Sequence, residues 1–492
     1  MSESLETQLL QRRETLKRLA QSGINPYPYS YARTHTVAAL LQAFSGPLPE
    51  HGSEEVVRTA GRVMTVRDMG KSCFATISDG PDRVQIYVKK DVVGDDAYRL
   101  FQKDTDLGDF IGVEGTMFRT RTNELSVKVT GLTLLAKSLR PLPEKFHGLK
   151  DVETRYRERE MDLVSNPEIL QLFVKRSKMM SSIRKTFADQ GFLEVETPLL
   201  QAHAGGAAAR PFETFHNALE SKLFLRIALE IHLKRLLVGG IARVFEVGRV
   251  FRNEGVDTMH NPEFTLLEAY QAYADYNDMM TLTETLISEA ALACNGTTDL
   301  TLHDKPLSLK PPYARASMTD LFIQHAGVDV VKAWQEGKLH DVARSLHVGF
   351  DDTTPDHKIF DRIFDLRVKP HLWQPTFVMD YPVEISPLAK MHRSKPGLVE
   401  RFELFIAQDE VANAYSELND PVDQRQRLER QAAAKLKGDE EAEVADESFL
   451  TALEHGMPPA GGLGIGIDRL AMLILSQTSI REVILFPLLK PE

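Results

Sequence analysis

Between Arg249 and Tyr270 the chain reads RVFRNEGVDTMHNPEFTLLEAY, the stretch richest in groups that could do chemistry. An alternating apolar strand (Val244, Val247, Val250) ends on Arg252 and Glu254. A polar loop then leads to His260-Asn261-Pro262, and a second segment brings Phe264, Glu268 and Tyr270. Two short strands joined by a loop would put Arg252, Glu254, Glu268 and Tyr270 on nearby surfaces, since side chains repeat every second residue along a strand face. A cation among carboxylates beside an aromatic is costly to bury without a purpose. A surface hairpin with ordinary ion pairs is the plain alternative.

A second cluster lies in RFELFIAQDEVANAYSELND, where Glu403, Glu410 and Glu417 recur every seven residues, with Asn413 and Tyr415, in mostly apolar strands. Like charges gathered on one surface repel, so a metal ion or a cationic ligand is needed as compensation. A third is MPPAGGLGIGIDRLAM, in which glycine-rich turns lead into an apolar helix opened by Asp468 and Arg469. Gly-x-Gly-x-Gly alone is a weak signal, and no strand–helix–strand unit follows to make it a dinucleotide site. The small residues between His203 and Phe212 allow a close backbone approach to a ligand, or form an ordinary flexible loop. LFLRIALEIHLKRLLVGG reads as a strand and then a helix from about Ala228, with Glu230 near its start.

These groups need elements to position them. MSESLETQLLQRRETLKRLAQSG reads as a polar helix ending near Gly23, and Arg12, Arg13, Lys17 and Arg18 form a candidate basic patch on it. Residues 56 to about 137 alternate as five strands, with Gly61, Gly112 and Gly115 where a barrel wall would bend. That pattern suggests an OB-type barrel, a fold that binds single-stranded nucleic acid by stacking and edge contacts. Arg67, Phe74, Gln85 and Glu124 are the candidate contacts, and Asn123 sits in a hairpin turn that favours positive φ. Residues 138–160, rich in charge and proline, read as a linker. Asn166-Pro167 then starts a helix with Asn as its cap. Its apolar face is Ile169, Leu172, Phe173, Met180, Ile183 and Phe187, Gly191 ends it, and FLEVETPLL follows as a strand. Residues 275–375 read as a polar, largely helical insertion with Trp334 as packing. The charged stretch 420–447 reads as a solvated helix.

Composition bounds the rest. The 492 residues are 42% hydrophobic and 26% charged, enough for two or three domains. Cys73 and Cys294 cannot build a disulfide framework and fit a reducing compartment. No apolar run reaches the ~20 residues of a membrane span, and no signal core opens the chain. A cytoplasmic location is expected. The net charge of -11 lends nucleic-acid binding no support, though phosphate contacts need only a local patch. His303, His325, His340, His347 and His357 lack the spacing of a zinc site.

FRNE followed by HNPEFTLLE resembles motif 2 of the class II aminoacyl-tRNA synthetases. The helix–strand–Pro of about 170–198 is similar to motif 1, residues 244–270 span motif 2, and residues 461–487 are similar to motif 3. GGAAARPF, ALEIHLKRL and NAYSELND resemble the bacterial-type lysyl-tRNA synthetases among them. The resemblance implies an α+β chain: a lead-in (1–55), an OB-fold anticodon-binding barrel (56–140), a linker (141–165) and a class II catalytic domain (166–492). That domain would be an antiparallel sheet flanked by helices, with a helical insertion at about 275–375, in a homodimer that does not span a membrane. The implied reaction joins L-lysine and ATP, with Mg²⁺, to lysyl-adenylate and then transfers lysine to tRNA(Lys).

The same resemblance assigns roles. Arg252 and Arg469 would be the catalytic cations, Arg252 at the substrate carboxylate and α-phosphate, Arg469 at the γ-phosphate. Glu254 would meet the adenine amino group, Phe264 would stack on the base, and His260 and Asn261 would lie near the phosphates. Glu403 and Glu410 would hold magnesium. Gly206 and Glu230 would meet the α-amino group of lysine, Asn413 its carboxylate, and Glu417 and Tyr270, with Glu268 nearby, its side-chain ammonium. Phe74 would stack on the central anticodon base, with Arg67, Gln85 and Glu124 reading it. Asn123 stands where the family often has Gly, and Asp409 adds charge beside Glu410. The competing readings are a catalytically silent paralogue that keeps RNA binding, ligation of lysine to a protein, and aspartyl or asparaginyl specificity. The retained charges, the barrel and the acidic pocket argue against each in turn.

Overall fold

Buried and outward residues alternate along Val56–Asp68, and the strands that follow repeat the pattern. The computed structural model describes residues 4–143, 149–203, 205–207, 209–351, 354–436 and 446–490, in two units, Met1–Gln171 and Leu172–Glu492. In the first unit, β1 (Val56–Asp68), β2 (Ser72–Asp79), β3 (Asp82–Lys89), β4 (Phe110–Arg119) and β5 (Leu125–Ala136) close a barrel in the order β1-β2-β3-β5-β4. Its interior is Val57, Val63, Ile77, Ile86, Val113 and Val129, all fully buried. The β4–β5 ladder slips by one residue between Glu114 and Gly115. A Cβ on Gly115 would stand 2.0 Å from the Lys128 carbonyl oxygen, so the wall closes there only on glycine. Asn123 takes the positive φ (66°) expected of its turn.

The helix Leu5–Gln21 is capped by Ser4 and stops before Gly23, as its sequence suggests. Its basic cluster is not a free patch. Arg12 is buried and donates to the carbonyls of Leu107, Ser138 and Arg140, while Arg18 pairs with Asp104 at 2.5 Å. Arg13 and Lys17 are exposed, and Arg18 keeps about half of its side chain in solvent while paired. Nor is the stretch after the barrel a plain linker. It carries the helices Val152–Arg157 and Arg159–Ser165, and its charges pair inward: buried Arg159 meets buried Asp162 at 2.5 Å. Residues 144–148 lie outside the described residues. The Asn166 side-chain amide turns back to donate to Asp162 (2.6 Å), one turn before the helix Pro167–Asp189.

The second unit is built on an eight-stranded sheet, with a three-stranded sheet and a hairpin beside it in the chain. Its strands are β6 (Leu193–Glu194), β7 (Leu200–Gln201), β8 (Glu213–His216), β9 (Ser221–Leu225), β10 (Arg243–Phe251), β11 (Glu263–Ala272), β12 (Asp299–Leu302), β13 (Lys305–Ser308), β14 (Ala314–Ser317), β15 (Thr376–Pro382), β16 (Leu398–Ile406), β17 (Asp409–Ser416) and β18 (Ala460–Gly466). The main sheet runs β14-β15-β16-β17-β18-β11-β10-β6 and is largely antiparallel. The expected strand FLEVETPLL pairs with β10 only through Leu193 and Glu194. In the preceding helix, Phe187 stacks on Phe245 of β10 at 4.3 Å.

The insertion is shorter than its polar composition suggested. The helix Tyr276–Asn295 buries Met279, Met280, Leu286, Ile287, Ala290 and Ala291 in the main core beneath the sheet, and β14 is a strand of that sheet. The helices that stand apart run from Met318 to Arg367. They enclose a second core of Phe322, Val330, Phe360 and Ile363, against which Trp334 packs. Helix Pro421–Leu436 is not simply solvated either: Gln424, Arg427 and Leu428 are buried, and Arg427 donates to the Ala389 carbonyl (2.7 Å). Residues 437–445 of the charged stretch lie outside the described residues. Among the described residues no helix is long and apolar enough to cross a membrane.

Gly115→Ala is expected to destabilise the barrel by ~2–4 kcal/mol, because backbone and not a flexible side chain must yield. Chemical denaturation of the variant against the parent checks this.

Candidate active site

Alternation gives the main sheet two chemically different faces. Leu267, Ala269, Ala414 and Ile465 pack into the core, while their neighbours Glu268, Tyr270, Asn413, Tyr415 and Gly464, with Gly462, line a cavity of about 640 Å³. Arg252, Glu254, His260, Asn261, Phe264, Glu403, Glu410 and Arg469 line it too, as do Gly206 and Glu230. Of the candidate residues in this unit only Glu417 does not reach the cavity wall. It lies directly behind it: a Cβ on Gly462 would fall 1.9 Å from Glu417 Oε1 and 2.6 Å from the Tyr270 ring. The bare strand β18 leaves the room those side chains occupy. Gly206 has φ +86°, and a Cβ there would press on Ala228 and Glu230 at 3.2 Å, so the small-residue loop does approach the cavity closely. Ala204 and Ala208 of that run lie outside the described residues.

One end of the cavity is cationic. The Arg252 guanidinium lies 5.2 Å from the Phe264 ring centroid and makes one long bond, from Nε to the Ile227 carbonyl (3.4 Å). Its fork is left for a planar anion, and its charge with the ring forms a clamp for a flat, polar ligand. Arg469 contacts His260 Nε2 at 3.0 Å, and His260 Nδ1 meets Asp257 at 2.9 Å. Arginine can only donate, so Nε2 is the acceptor and the ring proton sits on Nδ1, facing the carboxylate. Asp468, at the start of the following helix, accepts from Thr265 N–H (2.7 Å) and pairs with Arg176 (2.6 Å). It thereby ties the end of β18 to β11 and to the long helix Pro167–Asp189. Asn261 is buried, and its carbonyl oxygen has no donor among the described residues.

Glu403 and Glu410 lie on the paired strands β16 and β17. Burial, and then the Glu410 charge, push the Glu403 carboxyl up, although Arg401 holds it at 2.6 Å. Glu410 is 41% exposed and 3.9 Å from Arg469. No group of three or more metal-ligating side chains exists among the described residues. Two carboxylates near enough to repel, open toward an arginine-lined anion site, still fit magnesium. That ion takes one or two carboxylates and completes its shell with phosphate and water. Asp409, the next acid along, is itself raised by burial, with Lys369 and Arg469 opposing.

The other end is acidic. Glu230, Glu268 and Glu417 are all buried beside Tyr270 and Tyr415. Glu268 accepts from Leu229 N–H (3.0 Å) and the Tyr270 hydroxyl (2.9 Å), and Glu230 accepts from the Tyr415 hydroxyl (2.6 Å). Glu230 also pairs with Lys234, whose Nζ stands 2.6 Å from Glu417. Beyond that ammonium, neither Glu417 oxygen has a hydrogen-bond donor among the described residues. Lys234, Arg401 and Tyr415 were not anticipated as site residues. Lys234 follows Glu230 by one helical turn, a spacing that normally means a solvated ion pair. Arg401 shares a strand face with Glu403, and that period-two spacing was the available signal.

In the barrel, Arg67, Phe74 and Tyr87 stand in one cross-strand row on the outer face. Phe74 is half-buried on the outer face and leans on Tyr87, 4.7 Å between ring centroids, so it is not part of the barrel's buried interior. Gln85 donates to Glu124 (2.9 Å) and accepts from Ser126 (2.9 Å). The four candidates of this face therefore come together, with Tyr87 as an aromatic the sequence did not single out.

Burial, and then neighbouring carboxylates, push Glu268 up to about 7 and Glu417 up to about 8. A carboxyl raised in the folded state favours folding while it keeps its proton. Stability is therefore lost as pH rises through the folded pKa. The ligand-free protein is expected to melt at progressively lower temperature as pH rises from about 4.5 to about 8 and to level off above that, and Glu417→Gln should flatten the slope. Thermal unfolding of both proteins across this range checks it.

The family model described as tRNA synthetases class II (D, K and N) matches residues 151–490, and that of the OB-fold nucleic acid binding domain matches residues 57–135. The chain is 50% identical over 490 residues to a lysine–tRNA ligase of Bacillus cereus (strain G9842), covering 99% of this chain and 98% of the relative. It is 49% identical, with the same coverage, to the lysine–tRNA ligases of Bacillus cereus (strain B4264) and Bacillus thuringiensis (strain Al Hakam). Motif by motif, face by face and along its whole length, the chain belongs to the class II aminoacyl-tRNA synthetases, among the lysine–tRNA ligases.

Proposed function

We propose that the cavity activates L-lysine with ATP to lysyl-adenylate and passes lysine to the 3′ end of tRNA(Lys), while the outer barrel face reads the anticodon. The observation that carries the substrate assignment is Glu417. A fully buried carboxylate with a single ammonium for company is a costly group, and a ligand cation arriving past Gly462 and Tyr270 completes its shell. A neutral side chain in the same place would leave that carboxylate short of a partner, which is how the pocket rejects it.

The chemistry is in-line attack by the lysine carboxylate on the α-phosphate. It requires no protein nucleophile, so positioning and charge carry the catalysis. Arg252 holds the attacking carboxylate and the α-phosphate in one planar fork. Phe264 stacks on adenine and Glu254 receives its amino group. Arg469, oriented by His260, meets the γ-phosphate, with Asn261 nearby. Glu230 and the Gly206 backbone take the α-amino group, Asn413 the carboxylate, and Glu417, Tyr270 and Glu268 the ammonium end. Glu403 and Glu410 would hold Mg²⁺, which supplies positive charge to the phosphate oxygens when bound with the nucleotide.

On the barrel, Phe74 stacks on a base while Arg67, Gln85 and Glu124 read its edges. Homodimer formation is supported by Leu199, Leu200, Phe215 and Leu219, large apolar side chains that are 46–69% exposed on and around the β7–β9 sheet. Two free, buried cysteines suit the reducing cytoplasm.

Lysine-dependent ATP–pyrophosphate exchange with Mg²⁺, run across the twenty amino acids, tests the assignment. Lysine alone should support exchange. Glu417→Gln should raise the lysine KM by roughly ten-fold or more, the ~1.5–3 kcal/mol of a hydrogen bond to a charged group, and an unchanged KM removes Glu417 from the pocket. Phe74→Ala should weaken tRNA charging by ~1–3 kcal/mol, one stacked base, and leave adenylate formation intact. Loss of both activities would make Phe74 a structural residue.

A further inference from the structure

The acidic end of the cavity contains a cation that is not substrate. Lys234, on the helix Glu230–Val238, has a side chain with no solvent exposure, although lysine in a helix ordinarily extends its head to water. Its ammonium contacts Glu230 on its own helix and Glu417 after β17, and lies 5.4 and 5.9 Å from the ring centroids of Tyr415 and Phe449. The two carboxylates it joins are the ones read above as receiving the amino groups at opposite ends of the substrate. We propose that Lys234 is a positioning residue for lysine selection: one buried ammonium ties Glu230 to Glu417 and so sets the spacing and charge of the two carboxylates that meet the substrate. The proposal rests on the reading of Glu230 and Glu417 as substrate contacts.

The surroundings explain why a cation is needed there. Glu417 faces Glu230, Glu268, Tyr270 and Tyr415, none of them cationic, and the helix Glu447–Glu454 offers Lys234 only the Phe449 ring. Glu268 and Glu230 have backbone or hydroxyl donors of their own, whereas Glu417 has Lys234 alone. Lys234 favours the charged form of Glu417 against burial and the neighbouring carboxylates; without it they act unopposed, and a protonated Glu417 offers a substrate ammonium no charge. With it, the pocket stays net acidic, by three carboxylates to one ammonium, and still accepts a ligand with two amino groups. Its bonds to both carboxylates fix where the two stand, so removing it should change how well the pocket tells diamino acids of different length apart.

The test is ATP–pyrophosphate exchange by full-length Lys234→Met and Glu417→Gln beside the parent, with lysine and ornithine, at about pH 7 and about pH 8.5. Lys234→Met should raise the lysine KM at least ten-fold near pH 7, with the ATP KM within two-fold of the parent. The defect should persist at the higher pH, because burial, Glu230 and Glu268 then hold the Glu417 carboxyl up unopposed, while the lysine side chain, with a pKa of ~10.4, is still charged. Lysine should also lose part of its advantage over ornithine. Lys234→Arg, which keeps the charge, should recover part of the lysine KM. An unchanged lysine KM in Lys234→Met, or a defect that falls on kcat alone, overturns the proposal. Should Lys234→Met not fold, Lys234→Gln gives the same reading, and failure of both to fold overturns it in favour of a purely structural role. If Glu417→Gln raises the KM and Lys234→Met does not, this proposal alone fails. If Glu417→Gln also leaves it unchanged, the pocket reading beneath it fails.

Discussion

Carboxylates gathered on one face of a sheet repel one another, and the catalytic unit is organised by how each is offset. Glu403 leans on Arg401, Glu268 on a backbone N–H and a tyrosine hydroxyl, and Glu230 and Glu417 on Lys234. Glu410 is left half-exposed near Arg469. Wherever the offset is incomplete, the proposed function has a ligand group finish it: a phosphate-bound cation at Glu403 and Glu410, an ammonium at Glu417. Binding energy then comes from relieving a repulsion built in during folding, which is selective because only charges of the right sign and place relieve it.

The sheet makes this arrangement possible through period-two alternation. Residues that differ by one position in β11, β17 and β18 are separated into an apolar core face and a polar cavity face, so Ala414 and Tyr415, or Leu267 and Glu268, never compete for the same environment. β18 contributes mostly absence. Its glycines on the cavity side create the volume into which Tyr270 and Glu417 lean from the adjoining segments.

Much of this was legible in the sequence. FRNE, HNPEF and GLGIGIDR carry their chemistry in residue type and spacing, and the barrel's five alternating segments leave few other folds. What escaped was long-range pairing. Arg12 and Arg18 read as part of a basic patch, and Lys234 was not singled out, because nothing local distinguishes a surface cation from one with a partner far along the chain. Asn166 read as a cap because Asn-Pro usually is one, yet Asp162 one turn earlier claimed its amide. The helix Tyr276–Asn295 was taken into an insertion because threonines and carboxylates interrupt its apolar positions, and only the sheet above it shows that face to be core.

The position of β18 bears on how the chain reaches this state. The barrel uses a contiguous run, residues 56–136, and can close once that run is free of the ribosome. The catalytic sheet cannot: its central slot, between β17 and β11, is filled by residues 460–466. Until those residues emerge, β10–β11 and β14–β17 are two ribbons with open edges, each displaying unpaired N–H and C=O groups. A nascent or truncated chain lacking β18 would therefore be sticky along two edges at once, and the sheet, and with it the cavity, is completed only after residues 460–466 have emerged.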